Sequence, residues 1–293
     1  MIVRGHHRVL VQGITGKQGT FWTEKMIACG TRVIGGVNPK RAGEMHLGLP
    51  VFASANEAMR VAPYDVSVMF IPPAMAKDAA LDAMEAGVGL LVVLTEHIPA
   101  ADVMAMHAAA RAGTRIVGPN TAGLVTPGEA SVGIMPGHNA NIFRPGKVGV
   151  ISRSGSLGTL ICLNLTRGGF GQSAFLGIGG DPMVGTTTRD ALRALDEDAR
   201  TQTVVIVGEI GGAMEEEAAD YVAGMTKPVV GFIAGRASPE GKKMGHAGAI
   251  VTGDRGSYGS KLRALESAGA VVVDTPNEVV AALRSAGEQR LFA

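Results

Sequence analysis

Short unbroken apolar runs alternate with stretches of helical period along almost the whole chain, and few folds accommodate that alternation. Residues 8–13, Arg32–Val37, 66–71, 90–95 and Arg115–Val117 are continuous, apolar and rich in Val, Ile and Leu, as strands buried on both faces must be. Between them, residues 21–29, Ala55–Val61, 74–86 and 101–112 repeat Ala, Met and Leu at helical spacing. Three of these helices run into Gly30, Gly87 or Gly113, and glycine accepts the left-handed conformation that ends a helix. The order predicts βαβ units, hence an α/β fold of parallel sheets with helices on both faces.

Residues 126–146 interrupt the rhythm. They hold Pro127, Pro136 and Pro145 with four glycines and show no period, which predicts an interdomain linker. The pattern resumes with strands at residues 147–151, 172–178, Thr203–Glu209, Val229–Ala234 and 270–274, and with helices near 157–167, 187–196, 215–224 and 261–268. Two α/β domains are expected, residues 1–126 and 127–293.

Composition narrows the partners. A net charge of +1 gives no global pull toward nucleic acid or a membrane, so any bound anion must be held by local groups. Gly, Pro or a charge breaks every apolar run before it reaches the length of a membrane span, and residues 1–7 lack a signal-peptide layout. Cys29 and Cys162 form no C-x-x-C pair, so a reducing, cytoplasmic setting is expected. No spacing of His, Cys or carboxylates marks a metal site.

The first strand leads directly into Gly13-Ile14-Thr15-Gly16-Lys17-Gln18-Gly19, which opens the first helix. Glycines let the backbone approach a phosphate, and the unpaired N–H groups of a helix start bind it. At the end of the second strand an NAD site places an acid on the ribose, whereas this chain reads Asn38-Pro39-Lys40-Arg41. Two cations there fit a phosphorylated ribose, as in NADP or the 3′-phosphate of CoA. Ser152-Arg153-Ser154-Gly155-Ser156 also links a strand to a helix and reads as a second anion-binding helix start. Residues 235–243 fall short of a P-loop, because five residues precede Gly241-Lys242 and Lys243 replaces the Ser or Thr.

Among seven histidines, His246 stands apart. Gly245 and Gly248 flank it, Lys242 and Lys243 precede it, and an uncrowded imidazole suits capture of a phosphoryl group. Glu209 ends a strand, where ligands gather in open α/β sheets, and its carboxylate can hold one ring nitrogen while the other attacks. A solvated acid capping a strand end is the alternative that spacing leaves open.

These segments together resemble the alpha subunit of succinyl-CoA synthetase over nearly the whole chain. The shared segments include Gln18-Gly19-Thr20-Phe21, His46-Leu47-Gly48-Leu49-Pro50, Gly118-Pro119-Asn120, Ser152-Arg153-Ser154-Gly155, Gly177-Ile178-Gly179-Gly180-Asp181-Pro182, Gly208-Glu209-Ile210-Gly211-Gly212 and the His246 loop. The resemblance implies an N-terminal Rossmann-like CoA-binding domain and a C-terminal flavodoxin-like ligase domain. It implies CoA contacts at Thr15, Gly16, Lys17 and Gln18, at Lys40 or Arg41, and at Leu94, Thr95 and Glu96. A transient phosphate on His246 is supported by Glu209 and by the helix start at Ser154 and Gly155. In the implied cycle the histidine relays phosphate from a nucleoside triphosphate to a small dicarboxylic acid, and CoA attacks the resulting acyl phosphate. ATP or GTP with Mg²⁺ belongs, on this resemblance, to a separate nucleotide-binding beta subunit.

Departures cluster where the acid is expected, beside Asn120. Thr159 stands where the family commonly has Tyr, Thr121-Ala122 replaces a usual Cys-Pro, and residues 139–143 are slightly expanded. Malate–CoA ligases and citrate-activating relatives are the neighbouring readings. An NADP-dependent reductase or a CoA-binding protein without chemistry would explain the first domain and leave the His246 loop without a role.

Overall fold

The computed structural model describes residues 1–110, 113–238, 245–251 and 255–289. Two compact units divide the chain: Met1–His138 with Met183–Thr186, and Asn139–Pro182 with Thr187 onward.

In the first unit the strands are β1 (Arg8–Gln12), β2 (Arg32–Val37), β3 (Met45–His46), β4 (Leu49–Phe52), β5 (Val66–Met69), β6 (Leu90–Val93) and β7 (Arg115–Val117). They form one sheet in the order β3-β4-β2-β1-β5-β6-β7, parallel except for the β3–β4 pair. The connecting helices are α1 (Lys17–Ala28), α2 (Ala55–Val61), α3 (Pro73–Glu85) and α4 (Ala100–Ala110). Leu10, Met69, Leu91, Val93, Met106 and the small residues Ala76, Ala80 and Ala83 of α3 share one buried core. Alanines on the inner face let α3 lie close to the sheet. Strand order reverses beside β1, so the turn after β1 opens at the crevice where such sheets take ligands.

The stretch expected to be a linker is partly built. Within the first unit β8 (Gly123–Thr126) and β9 (Ala130–Gly133) form an antiparallel hairpin whose strands are buried throughout. Its only period is a buried one, Leu124-Val125 against Val132, too short to register as alternation. Tertiary bonds fix it: Thr31 Oγ1 donates to the Ser131 carbonyl at 2.8 Å, and Thr126 Oγ1 donates to the Val3 carbonyl.

The second unit carries β10 (Pro145–Ser152), β11 (Gln172–Gly177), β12 (Thr203–Glu209), β13 (Val229–Ala234) and β14 (Val271–Val273), parallel in the order β14-β13-β12-β10-β11. That is the flavodoxin-like arrangement, with its switch point between β10 and β12. Helices α5 (Gly155–Arg167), α6 (Thr188–Glu197), α7 (Met214–Gly224), α8 (Tyr258–Ser267) and α9 (Val279–Gln289) complete it. Helix α9 has no counterpart among the segments expected from the sequence. Helix α6 begins with a reciprocal capping box between Thr187 and Asp190. Among the described residues no helix is long and apolar enough to cross a membrane.

Candidate active site

Two places gather functional side chains, one in each unit. In the first unit Gly13 has φ +77°, and a Cβ there would lie 2.3 Å from the Phe70 carbonyl oxygen. Gly19 packs as closely, with its virtual Cβ 2.1 Å from the Gly13 oxygen. Only glycine fits either position, and the result is a tight turn whose backbone faces outward. Gly16 is the N-cap of α1 and offers no side-chain cap, so the first N–H groups, from Lys17 and Gln18, remain for a ligand. Thr15 Oγ1 accepts a 2.5 Å bond from Asn38 Nδ2, which ties the turn to the end of β2.

The two cations after β2 differ. Arg41 lies in an exposed ion pair, its Nη2 2.7 Å and its Nε 2.8 Å from Glu44 Oε2. Lys40 is exposed and makes no ion pair among the described residues. Leu94, Thr95 and Glu96 follow β6, where Thr95 Oγ1 donates to the Ile71 carbonyl at 2.7 Å and the Thr95 carbonyl accepts from Asn120 N. Asn120 adopts φ +56°, a left-handed conformation that Asn tolerates. Thr121 is buried, with its hydroxyl accepting from Gly123 N at 2.9 Å.

In the second unit the switch point sets the chemistry. Strand β10 leads through Arg153 to Ser154, the N-cap of α5, whose hydroxyl accepts from Leu157 N. The neighbouring strand β12 ends on Glu209. The His246 imidazole meets that carboxylate, with Nδ1 2.8 Å from Oε2 and 3.0 Å from Oε1. Glu209 is 6% exposed. His246, Glu209 and Ser154 line one cavity of about 360 Å³. The positive end of the α5 dipole therefore opens into the space beside the imidazole, which favours an anion by roughly 0.3–1 kcal/mol. Thr159, one turn along α5, spends its proton on the Gly155 carbonyl at 2.8 Å. Lys242, Lys243 and the Gly241-Lys242 step lie outside the described residues.

The seat of the His246 loop is made of glycine backbone. A Cβ on Gly180 would stand 2.5 Å from the imidazole Cγ, and one on Gly211 would stand 2.1 Å from the Gly248 carbonyl oxygen. Gly248 N donates to the Gly180 carbonyl at 3.2 Å. The loop thus lies flat against two strand ends. Behind Glu209 lie three buried charged side chains: Arg153, from the segment read as an anion-binding helix start, and Glu215 and Lys261, to which sequence reading gave no role. Glu215 opens a run of three glutamates at the start of α7, and such a run reads as a solvated helix end. No local pattern links it to Lys261, 46 residues away. Among the described residues no group of three or more His, Cys, Asp or Glu side chains is arranged to hold a metal ion.

Family models match both units: one described as the CoA binding domain covers residues 5–97, and one described as CoA-ligase covers residues 151–271. The alpha subunit 2 of the ADP-forming succinate–CoA ligase of Archaeoglobus fulgidus is 48% identical over 280 residues, 95% of this chain and 96% of that one. The corresponding alpha subunit of Methanothermobacter thermautotrophicus is also 48% identical, over 279 residues. This chain belongs to the succinate–CoA ligase alpha-subunit family. It is a subunit of a CoA ligase, with a Rossmann-like CoA-binding domain followed by a flavodoxin-like ligase domain. The same fold recurs in the ATP citrate lyase of Methanosaeta concilii, with a TM-score of 0.88 over 100% of this chain at 23% identity. The chain spans about half of that longer polypeptide, 52% of its length.

Proposed function

We propose that this alpha subunit binds CoA through residues 1–126 and carries a transient phosphoryl group on His246 through residues 127–293, as part of a succinate–CoA ligase. One observation carries the reading: His246 Nδ1 rests on the buried Glu209 carboxylate in a cavity that also receives the N-terminus of α5. A carboxylate on Nδ1 fixes the tautomer and leaves Nε2 as the nucleophile. Nε2 attacks the terminal phosphoryl group of the nucleoside triphosphate, and the nucleoside diphosphate departs. Ser154, Gly155 and the α5 N–H groups take the phosphoryl charge. The succinate carboxylate then takes the phosphoryl group, restoring the imidazole and giving an acyl phosphate. The CoA thiolate attacks the acyl carbon and inorganic phosphate leaves.

CoA lies, in this reading, across the turn of Thr15, Gly16, Lys17 and Gln18 and along Leu94, Thr95 and Glu96. Lys40, which makes no ion pair among the described residues, meets the 3′-phosphate, with Arg41 in a lesser part. A nucleotide-binding beta subunit supplies ATP, or GTP, with Mg²⁺. The family resemblance assigns Asn120, Thr121 and Thr159 to the acid. The Thr121 hydroxyl already accepts from Gly123 N, and the Thr159 proton is held by Gly155. The acid is assigned as succinate on the 48% identity to succinate–CoA ligase alpha subunits.

The test is acyl-CoA formation from succinate, malate or citrate, with CoA and ATP or GTP, by the chain alone and with its beta subunit. Activity only in the pair and greatest with succinate is expected. Full turnover by the isolated chain would refute the two-subunit scheme, and a preference for malate would reassign the acid.

A further inference from the structure

The ring of charge behind Glu209 is more than the fold requires. Lys261 is fully buried on α8, and its three ammonium hydrogens have three acceptors. They are the Glu209 carbonyl at 2.8 Å, the Gly211 carbonyl at 2.8 Å, and Glu215 Oε2 in a shorter contact. The other oxygen of the fully buried Glu215 accepts from Glu209 N at 3.4 Å. The Glu215–Lys261 pair, with Arg153 Nη1 also 3.7 Å from Glu215 Oε1, thus holds residue 209 by both its N–H and its carbonyl. Arg153 adds a third hold. Its Nη1 donates to the Gly211 carbonyl at 2.8 Å, and its Nη2 lies 3.3 Å from Glu209 Oε1.

Burying an ammonium and a carboxylate together is seldom the most stable choice, because apolar side chains of similar volume often serve as well or better. Burial indeed pulls the Lys261 ammonium below the usual lysine range, opposed by the Glu215 charge. What the ions supply is direction. Every acceptor of Lys261 belongs to the 209–211 corner or to Glu215, which itself grips that corner. The same corner seats the His246 loop, since Gly211 meets the Gly248 carbonyl. One rigid bend therefore fixes both members of the His–Glu pair.

We propose that Glu215 and Lys261 are positioning residues for phosphoryl transfer: a buried ionic clasp on the peptide of residue 209 that holds the Glu209 carboxylate on His246 Nδ1. Neither touches the reacting atoms. The role rests on the phosphohistidine reading above for its consequence in rate, though not for its effect on the imidazole.

The experiment uses the histidine-labelled chain assembled with its beta subunit, as wild type, Glu215→Gln and Lys261→Met. Nitrogen NMR of His246 reports whether Nδ1 is held in one hydrogen-bonded tautomer. A rapid-quench assay reports acid-labile phosphate on His246. Glu215→Gln keeps the shape and removes the charge, so it folds if Lys261→Met does not, and thermal unfolding checks each. The clasp predicts that Glu215→Gln loses the single-tautomer signature and slows phosphorylation by about 100-fold, the usual penalty of a misplaced group. CoA affinity stays unchanged. A folded Glu215→Gln enzyme with the wild-type imidazole signature would overturn the clasp. A wild-type enzyme that never phosphorylates His246 would overturn the phosphohistidine reading instead, and the NMR comparison would still decide the clasp.

Discussion

The two ligand-facing corners of this chain are built in opposite ways. The Gly13–Gly19 turn is backbone held by small residues, and its cations, Lys40 and Arg41, lie at the surface. The His246 corner buries four charged side chains, Arg153, Glu209, Glu215 and Lys261, behind one imidazole. Each is a strand end beside a switch point, so the fold alone does not make the difference. On the proposed function the task does. A reversibly bound cofactor can be met by N–H groups and a solvated ammonium, whereas a group that accepts and releases a phosphoryl must be held in one tautomer and one orientation. The first corner should therefore tolerate loss of a side chain, and the second should not.

The largest effect expected is at the second corner. Glu209→Gln preserves shape and removes the charge that orients the imidazole, and it should slow phosphorylation of His246 by about 10³–10⁴-fold in rapid-quench assays. CoA affinity measured by calorimetry should not change. A smaller loss would mean that Glu209 contributes packing rather than tautomer control. Gly180→Ala comes next. Its Cβ would lie 2.5 Å from the ring, so the loop must lift, and the same assay should fall by about 100-fold.

At the first corner the matched change is Gly13→Ala, where φ is +77° and the Phe70 carbonyl stands in the way. It should cost about 1–3 kcal/mol in thermal or denaturant unfolding and weaken CoA, leaving phosphorylation of the folded enzyme intact. Side-chain changes there should be milder. Lys40→Ala should weaken CoA by about 1.5–3 kcal/mol while leaving dephospho-CoA unaffected, the signature of one charge-assisted contact to the 3′-phosphate. Arg41→Ala should weaken CoA by only about twofold, because Arg41 already answers to Glu44. If Arg41 proves the stronger of the two, the phosphate lies on the other side of the Pro39–Arg41 turn.

The contrast also explains what the sequence disclosed. Most parallel strands were legible because each is a self-contained apolar run, and Thr203–Glu209 and Val229–Ala234 are bounded as expected, whereas the four-residue β4, interrupted by Pro50, was not. The glycine turn was legible because strand, turn and helix are consecutive. His246 and Glu209 could be paired only with the help of the family resemblance, since 37 residues separate them. Lys261 and Glu215 escaped notice for the same reason, and each sits in a helix whose local pattern reads as ordinary surface. The β8–β9 hairpin was missed because its four-residue strands are specified by contacts with Thr31 and Val3 rather than by their own period. Local features announce themselves. Long-range charge pairs do not.

The central claim is that phosphoryl transfer runs through His246 on its Glu209 rest, and the most direct measurement is peptide mapping of the labelled enzyme. The alpha subunit, assembled with its beta subunit, is given ATP labelled in its terminal phosphate, quenched in base and digested. The account predicts an acid-labile, base-stable phosphate on the peptide containing His246, absent from His246→Asn and chased from the wild type by succinate with CoA. Label on any other residue, or label that persists in His246→Asn, would contradict it.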